Sequence, residues 1–191
     1  CRDTNMVNTV MNAIGEHESL NVNDKVQVSG NKKDGFYDGP GKGAYQYEST
    51  KDGAGNTAMN RNANFLKYNT NKTLKDFPNL YDLTLNSNSP DFSKLSRNNQ
   101  DGLFIGDKIF GGPPRRKEFD KVTRNRTTPP TQEEIFQYWL KSHKGKVDNK
   151  TISELSESEI EVERKKWNSR TKKIFRPSLS KVLYNKGKIK I

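Results

Sequence analysis

The segment Gly15-Glu16-His17-Glu18-Ser19 places two carboxylates and an imidazole close together. Groups of this kind can pass protons to and from a breaking bond. Which of them does so depends on the element that carries them. Upstream, Val7, Val10, Met11 and Ile14 recur at i, i+3, i+4 and i+7. That spacing predicts an amphipathic helix capped by Asp3 or Thr4 and ending near Ser19-Leu20-Asn21. At about 100° per residue, with Val7 at zero, Glu18 falls near 20° inside the apolar stripe and Glu16 near 180°, facing water. A carboxylate on a buried face is costly unless it is paired or put to use. Desolvation raises its pKa toward what a general acid near neutral pH requires. Glu18 is thus the candidate acid and Glu16 an ordinary surface residue. The structural alternative is a helix-terminal Glu18 bonded to nearby backbone, or exposed where the helix frays.

A second segment, Gly41-Lys42-Gly43-Ala44-Tyr45-Gln46, sets glycines beside an aromatic ring and an amide. Glycines let a ligand approach the backbone closely. Tyr45 and Tyr47 alternate with Gln46 and Glu48, so a strand here would put Gln46 and Glu48 on one face. An amide, a carboxylate and adjacent tyrosines suit a sugar polymer, which offers hydroxyls to bond and flat faces to stack on. Glu48 is the leading second carboxylate, with Asp38 and Asp34 behind it. The alternative is a glycine-rich hairpin with structural tyrosines.

The elements that would position these groups are legible in outline. Val26-Gln27-Val28 and residues 44–48 alternate, and Gly30, Gly35, Gly39, Gly41 and Gly43 punctuate them, as in a small antiparallel sheet. Thr57, Met59, Asn62, Phe65 and Leu66 fit a further helix, and residues 69–93 read as a long connection. Ser96 and Asn99 open a helix with Leu103, Phe104 and Phe110 inside, stopped by Gly111-Gly112-Pro113-Pro114. Residues 111–130 are basic and bounded by prolines, which predicts a surface loop. Thr131–Glu134 is a capping box ahead of Ile135, Phe136, Trp139 and Leu140. Ser156–Glu159 is another, ahead of a longer helix that carries Ile160, Trp167 and Ile174 and closes at Arg176-Pro177. His143, just past a helix, reads as a cap or surface residue. The expected class is α+β, mostly helical, with one domain over residues 1–176 and a basic tail over 177–191.

The two chemical segments together resemble the lysozyme superfamily. Glu18-Ser19 at the end of a first helix is similar to the Glu-Ser of soluble lytic transglycosylases. His17-Glu18-Ser19 is similar to the His-Glu-Ser/Thr of family 19 chitinases and related phage endolysins. Gly43-Ala44-Tyr45-Gln46 resembles the transglycosylase Gly-x-x-Gln, and the stretch from Asp38 to Gln46 resembles the Gly-Arg-Gly-x-x-Gln loop of the chitinase branch. The resemblance spans residues 5–70 and keeps the order of both motifs. It implies a lysozyme-like domain with its helical part over 94–176, and a peptidoglycan glycosidase that cleaves the β-1,4 bond between N-acetylmuramic acid and N-acetylglucosamine. Glu18 would be the acid and Glu48 a second catalytic carboxylate, unless Glu18 acts alone as acid and then base and an anhydro ring forms. The substrate-binding set is Ser19, Tyr37, Gly43, Tyr45, Gln46 and Tyr68, where Lys67-Tyr68-Asn69 stands in for a later Ala-Tyr-Asn element. The expected setting is a phage virion, or the periplasm and wall of the host, with other virion proteins as further partners.

Composition narrows the alternatives. The 191 residues are only 30% hydrophobic, which allows a thin core and many loops. Apolar runs are too short for a membrane-spanning helix or for the apolar stretch of a signal peptide. The chain starts at Cys1, which reads as processed or excised. One cysteine and two histidines exclude an internal disulfide and a zinc cluster, so no metal or cofactor is expected. The net charge is +11. Residues 1–100 carry 12 Lys/Arg against 11 Asp/Glu, and residues 101–191 carry 22 against 12. Such a half suits nucleic acid, an anionic membrane surface or an anionic wall polymer. A nucleic-acid module, with Arg115-Arg116-Lys117 and the run Arg164–Lys173 on phosphates and Tyr138, Trp139 and Trp167 on bases, is therefore the rival reading. For a wall enzyme the same charge implies weak, non-specific nucleic-acid binding. A catalytically inactive virion protein is the third.

Overall fold

The apolar stripe of the first segment folds into helix α1 (Thr4–Ser19). Its buried face runs through Val10, Ala13, Ile14 and His17. The stripe is therefore centred on His17, and Glu18 sits at its margin rather than in its middle. The computed structural model describes residues 4–22, 25–31, 35–48, 58, 61 and 92–175. Ala58 and Arg61 are helical. Asp3, Asp34, Met59, Asn62, Phe65, Leu66, Tyr68, Arg176, Pro177 and the 177–191 tail lie outside the described residues.

α1 stops in a left-handed turn at Leu20 (φ 56°) and Asn21 (φ 58°). The Leu20 and Asn21 amides donate to the Glu16 and Gly15 carbonyls, each at 3.0 Å. The Asn21 side chain donates to Glu16 Oε2 at 3.0 Å and accepts from Arg97 Nη2 at 3.1 Å. Glu16 is thus a half-buried partner of the helix-ending turn. Gly15 leaves room for the Asn21 side-chain amide, since a Cβ there would lie 2.3 Å from Asn21 Oδ1. Gly15→Ala should accordingly destabilise the fold by about 1–3 kcal/mol, although alanine is the better helix former by about 1 kcal/mol. A denaturant midpoint at or above the wild-type value would refute this role.

Strands β1 (Val26–Asn31), β2 (Gly35–Lys42) and β3 (Tyr47–Glu48) form an antiparallel sheet in the order β1-β2-β3. Val28 pairs with Asp38, Ser29 with Tyr37 and Asn31 with Gly35. The register shifts between Val26 and Val28, opposite the Gly39-Pro40-Gly41 stretch. Gly41 then pairs with Glu48 and Lys42 with Tyr47. Residues 43–46 form a turn, not the strand their alternation predicts. Gly43 (φ 72°) and Gln46 (φ 50°) are both left-handed, which a strand does not allow. Gln46 and Glu48 therefore do not share a strand face.

Ser96 caps α2 (Arg97–Ile105) by accepting from the Asn99 amide at 3.3 Å. α2 runs on into a π-helical turn, Gly106–Phe110. Within the basic stretch that follows, residues 113–123 are helical and only 124–130 remain without a helix. Gly112 (φ 111°) and Pro113-Pro114 start helix α3 (Pro113–Thr123), whose Phe119, Val122 and Thr123 are buried. Proline at the first helical positions begins a helix as readily as it ends one. Both capping boxes form. Thr131 opens α4 (Gln132–Trp139), and Ser156 opens α5 (Glu157–Phe175), its amide donating to Glu159 Oε2 at 2.8 Å. α4 also continues into a π-helical turn, Leu140–Lys144, which Gly145 (φ 72°) ends. A hairpin of β4 (Lys146–Val147) and β5 (Lys150–Thr151) follows, with Asp148 and Asn149 both left-handed, as a tight two-residue turn requires.

α1 packs against α3, α4 and α5. The core joins Val10 and Ile14 to Leu103, Phe104, Phe119, Ile135, Phe136, Trp139 and Trp167. Trp167 Nε1 donates to the Gln132 carbonyl at 3.2 Å, and Gln132 Nε2 to Thr171 Oγ1 at 2.9 Å, which fixes α4 on α5. The described residues are mostly helical, with small antiparallel sheets. Among the described residues no helix is long and apolar enough to cross a membrane.

Candidate active site

Glu18, on the last turn of α1, opens into a cleft of about 620 Å³. The walls come from the 43–46 turn and β3 (Gln46, Tyr47), the first π-turn (Asp107, Lys108), the second (Ser142, His143, Lys144) and α5 (Arg170). π-helical turns interrupt helices most often at functional sites. Here both occurrences deliver cleft residues, and Lys108 Nζ ties them together by donating to the Ser142 carbonyl at 3.2 Å.

The Glu18 carboxyl accepts a hydrogen bond from Trp139 Nε1 at 2.6 Å. The indole is held by its neighbours: its ring centroid lies 4.4 Å from that of His17 and 5.4 Å from that of Trp167, and Lys144 Nζ sits 5.9 Å from it. Burial pushes the Glu18 pKa above its ordinary value, outweighing the Trp139 hydrogen bond and the charges of Lys144 and Arg170, which favour the carboxylate. A carboxyl whose pKa burial raises is suited to act as a general acid. Trp139→Phe keeps most of the ring volume and removes the N–H that favours ionisation. It should move the alkaline limb of any Glu18-dependent pH–rate profile to higher pH. A shift toward acid would show that the indole does not act through that hydrogen bond.

Asp107 has the opposite environment. Burial alone would raise its pKa, but Lys108 Nζ at 2.7 Å and Arg115 hold it below the ordinary carboxylate range. Tyr47 also donates to it at 2.9 Å. Lys108 is only 2% exposed. Its ammonium is lowered by burial and defended by Asp107. The cleft thus holds two carboxyl groups whose surroundings drive their protonation apart, the pattern that separates an acid from an ionised partner.

Both histidines are neutral. His17, 5% exposed between the two tryptophans, is lowered to about 3 by burial and by Arg170, whose Nη1 donates to the His17 carbonyl at 2.8 Å. His143 is also lowered to about 3, by burial and then by Lys108. Its Nε2 meets the Tyr45 carbonyl at 3.1 Å. A carbonyl only accepts, so Nε2 carries the proton. His143 therefore clamps the turn to the second π-turn and lines the cleft, a position its place after a helix did not announce.

The sequence-derived site residues separate into two groups. Glu18 and Gln46 reach the cleft. Gln46 Nε2 donates to the Gly43 carbonyl at 2.7 Å and the Lys25 carbonyl at 3.2 Å, so it also closes its own turn. Ser19, Gly43 and Tyr45 build the support. The Ser19 hydroxyl is buried and bonds the Ala44 carbonyl at 2.8 Å, which fastens the turn to the end of α1. Gly43 donates to the Lys25 carbonyl at 2.7 Å. Tyr45 is fully buried, and its hydroxyl bonds Asp101 at 2.6 Å and Arg97 at 3.2 Å. Gln100, which the sequence did not single out, accepts from the Ala44 amide at 2.8 Å and donates to the Leu95 carbonyl at 2.9 Å. Tyr37 and Glu48 are placed by their backbones alone, opposite Ser29 and Gly41. Tyr68 lies outside the described residues. The sequence does not single out Asp107, Lys108 or Lys144, and it offers Arg170 and Trp139 only to the rival nucleic-acid reading, with Trp139 otherwise core.

Among the described residues no group of three or more His, Cys, Asp or Glu side chains is placed to hold a metal ion. No protein-family model, no curated protein and no solved structure matches this chain.

Proposed function

We propose that the protein is a glycosidase acting on bacterial wall peptidoglycan, with Glu18 as its general acid. The observation that carries this reading is the Glu18 carboxyl, its pKa raised by burial, bonded to Trp139 and open to a polar cleft. Glu18 would donate its proton to the glycosidic oxygen as the bond to the anomeric carbon breaks, leaving oxocarbenium character on the sugar. Asp107, the other carboxylate described in the cleft, already accepts from Tyr47, Lys108 and Arg115. Its occupied lone pairs favour Glu18 acting a second time, as the carboxylate that takes a proton from the attacking hydroxyl. If that hydroxyl is O6 of the same muramic residue, the product is a 1,6-anhydro sugar; if it is water, a reducing end.

The rival nucleic-acid reading loses its stacking platform, since Tyr138, Trp139 and Trp167 are all buried. Part of its basic surface is also engaged, with Arg116 and Arg124 near Asp120, Lys121 on Glu118 and Arg164 on Glu133. The test is clearing of purified cell walls followed by mass analysis of the released fragments. Anhydro or reducing muropeptides support the glycosidase. Intact glycan after prolonged incubation overturns it.

A further inference from the structure

We infer that Lys144 and Arg170 form a carboxylate-binding subsite beside Glu18, so that the enzyme requires an acidic substituent next to the bond it cleaves. The inference rests on the glycosidase reading above and adds to it which glycans qualify. Five cationic side chains line the cleft, Arg61, Lys108, Arg115, Lys144 and Arg170, and the last four divide by partner. Lys108 and Arg115 both pair with Asp107. Lys144 and Arg170 have no carboxylate ion-pair partner among the described residues, and both are exposed at the cleft. Lys144 lies over the Trp139 ring and Arg170 is anchored by one donor on the His17 carbonyl. The remaining guanidinium and ammonium donors are left for a ligand.

Two further features make this a subsite and not scattered surface charge. Both cations are held by the residues that hold the acid: Trp139 binds Glu18 and carries Lys144, and His17 precedes Glu18 and fixes Arg170. Both also act on Glu18 electrostatically, so they lie within range of whatever bond Glu18 protonates. A concave wall concentrates the field of these two charges. A carboxylate is the complementary ligand, since arginine binds it through paired donors. On a wall glycan it can come from the lactyl ether of a peptide-free muramic residue or from the stem peptide of a substituted one.

The experiment compares kcat/KM on three glycans of matched length: neutral N-acetylglucosamine oligomers, peptide-free strands with free lactyl carboxylates, and peptide-bearing strands whose lactyl group is an amide. The proteins are wild type, Glu18→Gln, Lys144→Met, Arg170→Met, the Lys144→Met/Arg170→Met double variant and Arg170→Lys. Wild type should favour at least one acidic glycan over the neutral one by about tenfold or more, as expected for loss of a charge-assisted hydrogen bond. The double variant should bring that ratio close to one, chiefly through KM, and Arg170→Lys should keep part of it. Preference for peptide-free strands identifies the lactyl carboxylate; preference for peptide-bearing strands identifies the stem peptide. Glu18-dependent cleavage of all three with equal kcat/KM, or a ratio that survives in the double variant, overturns the subsite and leaves the glycosidase standing. Absence of Glu18-dependent cleavage of any glycan overturns both.

Discussion

Glu18→Gln should lower wall-degrading turnover by about 10²–10⁴-fold, the usual contribution of a positioned general acid. It should at the same time make the protein more stable. The Glu18 pKa in the fold is raised above its ordinary value of 4.5. Above that pH the unfolded chain releases the Glu18 proton more readily than the folded one, so wild-type stability falls as pH rises toward the folded-state pKa. Glutamine has no proton to release and escapes this loss. Its amide oxygen can still accept from Trp139. The melting temperature of Glu18→Gln should therefore exceed that of wild type at pH 7, and the gap should close near pH 4. Glu16→Gln should leave turnover near wild type, because Glu16 bonds the Asn21 turn and does not line the cleft. A Glu16→Gln variant that is inactive beside an active Glu18→Gln would reverse the assignment of the acid.

Tyr45→Ala should destabilise the fold by about 3–5 kcal/mol, the range for emptying a buried aromatic site. The sequence invites the opposite expectation, a glycine-flanked tyrosine that touches sugar and can be removed cheaply. In the fold the ring is completely buried, with its centroid 4.6 Å from that of Phe104. Its hydroxyl joins Asp101 and Arg97, and the same Arg97 holds the Asn21 turn at the end of α1. Tyr45→Phe, which keeps the ring, should cost about 0.5–1.5 kcal/mol for each net hydrogen bond lost. Urea unfolding of both variants measures the difference. A Tyr45→Ala protein as stable as wild type but unable to bind glycan would restore the sugar-stacking role.

The elements were legible where periodicity or capping marks them. Ser96, Thr131 and Ser156 each announce a helix start, and Ile135, Phe136, Trp139 and Leu140 give the buried face of α4. α3 was hidden because Pro113-Pro114 reads as a stop when it is placed as a start. The 43–46 turn was hidden because strand alternation and a turn of two left-handed residues look alike in four letters. Glu18 was legible because helix phase carries it close to the core. Its partners were not: Trp139 is 121 residues away along the chain. Asp107, Lys108, His143 and Lys144 lie on π-turns, which follow neither the helix nor the strand period. No spacing rule joins groups that only the packing of α1 against α4 and α5 brings together.

The two π-turns have a consequence for how such a site is gained or lost. A π-helical turn is an α-helical turn holding one residue more than its hydrogen bonds require. Deleting a single residue between Leu140 and Lys144 would let α4 run on as an ordinary helix. The residues left in the turn would take new directions, one residue being worth about 100° of helix rotation and about 1.5 Å of rise. The cleft wall that Ser142, His143 and Lys144 now form would be lost, while Ile135, Phe136 and Trp139, which precede the deletion, would keep their places in the core. This cleft and a plain helical scaffold are thus one residue apart, and segment 140–144 is where the candidate site is most easily gained or lost.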